Sequence, residues 1–173
     1  LRDTEVFLAP MSDPGFDDSG WAQAKGGETP EARLVAQTSP ALKATGTRRA
    51  TAISEPQPGR YVFDFGQNFS GWVRIKATGP VGTNITAKFA ELLNPDGTAD
   101  LSNLRLAKAT DSFTLAGSGE EVFEPHFTYH GFRYVEVQNY PGVPTADDIE
   151  GVVVYSACRE TGLRVPDDMA LVS

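Results

Sequence analysis

Polar, planar and aromatic side chains occur together at several places in this sequence where turn residues meet apolar runs. Asp64-Phe-Gly-Gln-Asn-Phe-Ser-Gly-Trp72 is one such segment, and His130-Gly-Phe-Arg-Tyr-Val-Glu-Val137 is another. Amide, carboxylate and guanidinium groups offer directed hydrogen bonds, and aromatic rings cover apolar surfaces. This chemistry suits the binding of a sugar, and it also suits a hydrated interface with another domain. The candidate residues for either role are Asp64, Gln67, Asn68, Trp72, Asn103, Arg105, Tyr129, His130, Arg133 and Tyr134.

Arg133 illustrates how these two roles compete. It lies between Phe132 and Tyr134 in an apolar run typical of a strand. An arginine in that position most often pairs with a carboxylate on a neighbouring strand or stacks on an aromatic ring. We therefore favour an interface or structural role for it over direct contact with a ligand.

Carboxylates are the groups with which this chain could hydrolyse a glycosidic bond. That reaction needs two carboxylic acids that face each other, about 5–5.5 Å or about 6.5–9.5 Å apart according to the stereochemical outcome. Because the chain holds 23 acidic residues, most close pairs will be surface charges or strand-end hydrogen-bonding groups. We expect no catalysis within the chain, and intrinsic catalysis stays open as the alternative. The carboxylates that offer pairings are Asp64, Glu91, Asp111, Glu124 and Glu136.

Two histidines and one cysteine are the remaining candidates for metal or redox chemistry. His126 and His130 lie four residues apart, but Pro125 and the aromatic neighbours disfavour the helix that would place both on one face. In an extended strand they lie about 13 Å apart, too far to bind one ion. We expect structural histidines and no metal site. Cys158, the single cysteine, excludes an intramolecular disulfide and is expected to be a buried apolar residue.

The charge and composition of the chain argue against several classes of partner. The formal net charge is −8, from 15 Lys and Arg against 23 Asp and Glu, so the chain repels a phosphate backbone and nucleic acid is not expected. No apolar run approaches the roughly 18 residues of a membrane span. The sequence has no glycine-rich phosphate loop and no nucleophile elbow, so we expect no cofactor. The N-terminus shows neither an initiating Met nor a signal peptide, which predicts a chain cut from a longer protein and leaves the compartment open.

Residues 1–49 are predicted to be an irregular connector. Turn-forming residues recur in this part, at Pro10, Asp13-Pro14-Gly15, Gly26-Gly27 and Pro40. Phe16-Asp-Asp-Ser-Gly-Trp21 predicts a turn in which aspartates bond their own backbone while the two aromatic rings anchor the loop. The alternative for Trp21 is a stacking role in a ligand site.

Residues 50–157 show the pattern of an all-β, antiparallel β-sandwich, because short runs rich in β-branched and aromatic residues alternate with turn residues. Alternation predicts that Val73, Ile75 and Ala77 face the core and that Trp72, Arg74 and Lys76 face water or a partner. Ile85, Ala87 and Phe89 are likewise predicted to face inward. Strands are predicted at 48–54, 60–65, 70–78, 83–91, 109–116, 121–127, 132–139 and 148–156.

Turn residues between these runs predict which strands are neighbours. Gly79-Pro-Val-Gly82, Asn94-Pro-Asp-Gly97 and Ala116-Gly-Ser-Gly-Glu120 are each expected to join antiparallel neighbours. Between Leu101 and Lys108 the spacing of apolar residues supports one short helical turn at most.

Several motifs in one order resemble the concanavalin-like β-sandwich domain of bacterial α-L-rhamnosidases, over about residues 50–157. The leading segment Asp13–Trp21 is similar to the stretch that leaves a preceding N-terminal domain in those enzymes. The resemblance implies a jelly-roll or concanavalin-like sandwich. The motifs are Tyr61-Val-Phe-Asp-Phe-Gly-Gln-Asn-Phe-Ser-Gly-Trp72, Ala90-Glu-Leu-Leu-Asn-Pro-Asp-Gly97, Asn103-Leu-Arg105, Ala109-Thr-Asp111 and Phe123-Glu-Pro-His-Phe-Thr-Tyr-His-Gly-Phe-Arg-Tyr134.

The resemblance also implies a role and a partner. In that family an (α/α)6 barrel that follows the sandwich carries the catalytic acid and base and inverts the anomeric centre. We therefore expect a non-catalytic accessory domain that contacts such a barrel and could contact rhamnose-containing glycans. Residues 158–173 are expected to lead toward a catalytic domain, although the segment from Arg159 departs from the family pattern. The alternative is an autonomous, lectin-like carbohydrate-binding domain.

Overall fold

The structure is a computed structural model, and it describes residues 15, 17–28, 32, 33, 35, 36 and 41–156. The predictions made for Pro10, Asp13-Pro14, Phe16, Pro40, Cys158 and the tail at 158–173 lie outside the described residues. In the predicted turn before Trp21, Asp17 Oδ1 accepts a hydrogen bond from the Ser19 amide at 3.0 Å. The ligand-stacking role of Trp21 stays a prediction.

Strands make up nearly all the regular structure of the described residues, which confirms the all-β prediction. A single-turn 3₁₀ helix at Ser102–Leu104 falls where the sequence predicted one short turn. None of the helices in the described part of the chain could cross a membrane. The strands are β1 (Leu42–Arg49), β2 (Ala52–Gln57), β3 (Arg60–Thr78), β4 (Asn84–Ala90), β5 (Leu92–Leu93), β6 (Ala99–Asp100), β7 (Thr110–Thr114), β8 (Glu120–Phe123), β9 (His130–Gln138) and β10 (Ile149–Ser156).

One long antiparallel sheet curls over to form both layers of the sandwich. Its order is β1-β10-β3-β9-β4-β7, and β2 and β8 also pair with β3. β3 belongs to both layers, since its first half (60–64) lies between β2 and β9, and its second half (71–78) lies beside β10 and β8. Across the layers, the rings of Phe113 in β7 and Phe123 in β8 stack at 4.9 Å.

A large bulge interrupts β3 in the middle. Asp64 pairs with Tyr134 and Phe69 pairs with Phe132, so residues 65–68 of β3 stand opposite Arg133 alone. Gly66 lies in this bulge with a φ of 75°, a left-handed conformation that glycine adopts without steric cost. The bulge is the place where the polar segment Gly66-Gln67-Asn68 leaves the regular ladder.

The core lies between the two layers and follows the predicted alternation. Val73, Ile75 and Ala77 are buried, and so are Ile85, Ala87 and Phe89, which confirms the predicted inward faces. Phe132 contacts three other phenylalanine rings, at centroid distances of 4.4 Å from Phe69, 4.9 Å from Phe89 and 5.8 Å from Phe65.

The close approach of β3 and β10 depends on glycine. A Cβ atom on Gly71 would lie 1.9 Å from the carbonyl oxygen of Val152. A Cβ atom on Gly151 would lie 2.8 Å from the ring of Phe69 and 3.1 Å from that of Phe65. The absence of side chains at these two positions lets the aromatic rings pack against the sheet.

Several strand and hairpin predictions were wrong. The predicted strand 48–54 is two strands, β1 and β2, and β1 begins at Leu42 inside the segment predicted as connector. The predicted strands 60–65 and 70–78 are one strand, because the glycine and amide residues between them form a bulge and not a turn. The segments 79–82 and 116–120 do not close hairpins, since β4 pairs with β7 and β9 while β8 pairs with β3. Asn94–Gly97 does turn a hairpin, between β5 and β6.

Candidate functional site

Asp64, Asn68, Glu91 and Arg133 form a polar group around the β3 bulge, which we call the bulge cluster. Arg133 Nε and Nη2 each donate to one oxygen of Asp64 at 2.8 Å, a two-pronged pair. The Gly66 amide also donates to Asp64 Oδ1 at 2.7 Å. The guanidinium carbon of Arg133 lies 4.9 Å from the ring centroid of Tyr134. Arg133 therefore makes both contacts that its position in the sequence favoured.

The charge of Asp64 is stabilised by these contacts. The hydrogen bond from Arg133 has the largest effect and lowers the pKa of the Asp64 carboxyl below its usual 3.8. Desolvation partly opposes this effect, and the Gly66 amide lowers the pKa further. The same pair raises the pKa of Arg133. Since the Arg133 side chain is 40% exposed, water screens part of this attraction.

Asn68 completes the bulge cluster on the side of β4. Its Nδ2 donates to Glu91 Oε1 at 2.9 Å, which joins the bulge to the residue that follows β4. The Asn68 Oδ1 atom is buried and has no hydrogen-bond partner among the described residues. Gln67 lies beside it in the bulge and is half-buried.

His130 and Asp111 form a separate pair at the margin of the core. His130 Nε2 lies 3.1 Å from both Asp111 oxygens, and its ring stacks on Phe89 with centroids 4.0 Å apart. The two side chains are only 11% and 13% exposed. Within the described residues, no group of three or more His, Cys, Asp or Glu side chains could hold a metal ion. His130 thus has a structural partner of its own.

A pocket of about 690 Å³ lies on the outer face of the layer that contains β8, β10 and the second half of β3, and we call it the Trp72 pocket. Trp72 Nε1 donates to Glu124 Oε1 at 2.9 Å, and Arg74 Nε donates to Glu124 Oε2 at 2.9 Å. The remaining walls come from Leu42, Val154 and the segment 124–129, which includes Tyr129.

Glu124 is held ionised by this network. The hydrogen bond from Arg74 lowers the pKa of the Glu124 carboxyl, and the indole N–H of Trp72 contributes in the same direction. Arg74 in turn binds Glu150 through Nη1 at 2.7 Å. The chain of contacts fixes the indole ring on the sheet surface.

The structure divides the predicted candidates among separate places. Asp64, Gln67, Asn68, Arg133 and Tyr134 come together at the bulge, whereas Trp72 and Tyr129 meet at the Trp72 pocket. Asn103 and Arg105 are exposed in the segment between β6 and β7, where Arg105 has a φ of 54°. Their roles in binding stay predictions.

Sequence reasoning missed the contribution of Phe127 to the Trp72 pocket. Phe127 has a φ of 61° and its side chain is wholly exposed. The signal available was the run of aromatic residues in Phe123–Tyr129, which sequence reasoning treated as part of a strand. The observed strand β8 ends at Phe123, so the run forms a surface segment.

The fold and these contacts define a concanavalin-like, antiparallel β-sandwich domain. Residues 54–155 match the family described as the bacterial alpha-L-rhamnosidase concanavalin-like domain. The chain belongs to this family, as its sequence motifs implied.

The relatives are much longer proteins. An α-L-rhamnosidase of Streptomyces avermitilis is 44% identical over 161 residues, which are 92% of this chain and 16% of that protein. The solved α-L-rhamnosidase of Dictyoglumus thermophilum is similar with a TM-score of 0.77 and 48% identity, over 83% of this chain and 16% of that one. The solved structure of the Streptomyces avermitilis enzyme complexed with L-rhamnose is similar with a TM-score of 0.79 and 44% identity, over 86% of this chain and 15% of that one. This chain therefore spans about a sixth of their length.

Proposed function

We propose that this chain is a non-catalytic domain of an α-L-rhamnosidase and that it supports the enzyme's catalytic domain. One observation carries the proposal: each of the five carboxylates that the sequence offered for hydrolysis binds a structural partner in the described part of the chain. Asp64 binds Arg133, Glu91 binds Asn68, and Asp111 binds His130. Glu124 binds Trp72 and Arg74, and Glu136 accepts the Ala99 amide.

The charge state of two of these groups argues in the same direction. A glycosidase needs a general acid that keeps its proton near neutral pH, and this requires a raised pKa. The pKa values of Asp64 and Glu124 are lowered, because arginine donors stabilise their ionised forms. Neither group is suited to donate a proton to a leaving sugar oxygen.

The bulge cluster is the surface that we propose contacts the rest of the enzyme. The Arg133 side chain is 40% exposed and that of Asp64 is 24% exposed, while Gln67 and Tyr134 beside them are half-buried. Interfaces between domains of one chain are small and rather polar, which fits such a surface. The expected partner is the (α/α)6 barrel of the parent enzyme, whose substrates would be rhamnose-containing glycans.

A domain exchange tests this proposal. The 161 matching residues of the Streptomyces avermitilis enzyme are replaced by this chain, and the hybrid is compared with the intact enzyme and with a deletion of the same segment. We expect the hybrid to fold and hydrolyse an aryl α-L-rhamnoside within about tenfold of the intact enzyme, since each tenfold is only about 1.4 kcal/mol. We expect the deletion to be inactive or aggregated. A deletion as stable and active as the intact enzyme would contradict a supporting role.

The same hybrid tests the proposed contact surface. Arg133→Ala in the hybrid should lower the melting temperature of the catalytic domain, whereas Arg49→Ala, which removes an exposed pair with Asp147, should not. Equal effects of the two substitutions would place the contact elsewhere.

A further inference from the structure

The Trp72 pocket has the composition of a small-molecule site. Such sites usually enclose about 300–1,000 Å³ and combine aromatic walls with a few polar groups. This open pocket has a volume of about 690 Å³, and Trp72, Phe127 and Tyr129 are among the residues that line it. Tyr129 is 55% exposed and Leu42 is 53% exposed, so the apolar surface is open to a ligand.

The segment 124–129 supplies the polar groups in a regular pattern. Glu124, His126 and Thr128 alternate with Pro125, Phe127 and Tyr129, and all six residues line the pocket. A ligand bound along this segment can therefore contact an apolar ring and a hydrogen-bonding group next to each other. Because the Trp72 and Arg74 donors leave further lone pairs on the Glu124 oxygens, that carboxylate can still accept hydroxyl groups.

Phe127 gives an independent sign of a binding role. A bulky aromatic residue at a φ of 61° is a genuine backbone outlier, and the Phe127 side chain gains no stabilisation from burial because it is wholly exposed. Backbone strain of this kind costs of order 1–3 kcal/mol and clusters at ligand sites. Here the strain holds an aromatic ring at the rim of the pocket.

The negative charge around the Trp72 pocket disfavours anionic ligands. Glu124 at the pocket is ionised, Glu150 lies on the other side of Arg74, and the chain carries a net charge of −8. An anionic ligand would be repelled, since the Arg74 guanidinium is already paired with these two carboxylates and the net charge there is negative. The preferred ligand is uncharged, with an apolar face and several hydroxyl groups.

We propose that the Trp72 pocket binds a neutral pyranose ring, with its apolar face against the aromatic side chains and its hydroxyl groups toward Glu124 and the polar residues of 124–129. This surface is separate from the bulge cluster. Sugar binding there can therefore fail without affecting the supporting role, and the supporting role can fail without affecting it.

Fluorescence of a single tryptophan tests the proposal. The chain contains two tryptophans, so Trp21→Phe leaves Trp72 as the only reporter. The probes are methyl α-L-rhamnopyranoside, methyl α-D-mannopyranoside, and D-galactose against D-galacturonate as a matched neutral and anionic pair. We expect at least one neutral pyranose to give a saturable change with a Kd of about 0.1–10 mM, and the anion to bind more weakly.

Exposed substitutions then locate the site without unfolding the chain. Tyr129→Ala should weaken binding by about tenfold or more, and Phe127→Ala should also weaken it. Leu106→Ala is the control, since Leu106 is just as exposed but lies in a different segment. The proposal is overturned if no neutral pyranose saturates the signal by about 50 mM, if binding survives both aromatic substitutions, or if galacturonate binds more tightly than galactose. Sedimentation as a dimer that Phe127→Ala dissociates would also overturn it, by identifying a second copy as the occupant.

Discussion

Asp64 and Arg133 close the β3 bulge with two parallel hydrogen bonds, and their pairing is the contact that the sequence best anticipated. An arginine between two aromatic residues in a strand has few partners, so pairing with a carboxylate or stacking on a ring was predictable. The identity of the carboxylate was not, because Asp64 and Arg133 are distant in sequence and meet only through the register of β3 and β9.

The pair makes stability depend on pH. Asp64→Asn should lower the free energy of unfolding by about 1–2 kcal/mol at pH 7, at the lower end because the Arg133 side chain is 40% exposed. The folded-state pKa of Asp64 lies below its unfolded value of about 3.8, so its contribution is full above that value and is lost as pH falls through the folded pKa. Urea titrations at several pH values should show the free energies of unfolding of Asp64→Asn and the unsubstituted chain converging below pH 3.8.

Asp147→Asn is the matched control for this titration. Asp147 also pairs with an arginine, Arg49, but its side chain is 72% exposed. We expect Asp147→Asn to change the free energy of unfolding by no more than about 0.5 kcal/mol at any pH. A difference between Asp64→Asn and the unsubstituted chain that stays constant down to acid pH would contradict the assigned role of Asp64.

Gly71 offers a second test of a single residue. A methyl group on Gly71 would collide with the Val152 carbonyl, so β3 and β10 would have to separate. We expect Gly71→Ala to destabilise the chain by about 3 kcal/mol or more, measured by thermal or urea unfolding. Gly46→Ala in β1 is the control, because its Cβ would meet nothing within 4 Å. Equal melting temperatures for the two variants would show that β10 does not lie against Gly71.

Individual strands were predictable where alternation governs them, and the connections between strands were not. The inward faces of β3 and β4 follow directly from the period of two in their sequences. The bulge at 65–68 resembles a turn in sequence, since glycine and amide residues suit both. The turn at 79–82 was predicted to close a hairpin, but β9 lies between β3 and β4, a long-range pairing on which local turn chemistry has no bearing.

The β5–β6 hairpin is held by a buried carboxylate that the sequence flagged only as a candidate for catalysis. Glu136 is 1% exposed, and its Oε2 accepts the Ala99 amide at 2.9 Å. Arg60 and Lys88 lie 3.6 and 3.8 Å from its other oxygen. The carboxylate therefore links the hairpin to β9 and is partly neutralised by two cations.

Removal of this carboxylate should release the hairpin. We expect Glu136→Ala to lower the free energy of unfolding by about 3 kcal/mol. The substitution leaves two cations, the Ala99 amide and the Gln138 side-chain amide without their partner. Hydrogen exchange should show the Ala99 amide losing protection by more than the global change in stability accounts for. Glu91→Ala removes an exposed carboxylate that accepts a hydrogen bond from Asn68, and it should lower the free energy of unfolding by no more than about 1 kcal/mol. An Ala99 amide that stays protected in Glu136→Ala would contradict the assignment.

The family of the domain was recognisable from its motifs, and the positions of its polar and aromatic surfaces were not. The motifs and their order implied the family, and the match over residues 54–155 confirms it. The division of the candidate residues between the bulge cluster and the Trp72 pocket depends on how β3 passes from one layer to the other. That path is a property of the whole sheet, which no local sequence pattern encodes.

We propose that the five candidate carboxylates of this chain stabilise its fold and that glycoside hydrolysis takes place in another domain. Prolonged incubation of the 173-residue chain with an aryl α-L-rhamnoside, with the Streptomyces avermitilis enzyme as the positive control, tests this. The predicted result is no release of the aryl group above the rate without protein. Turnover by the purified chain that Glu91→Gln or Glu124→Gln abolishes, in a variant that keeps the fold, would contradict it.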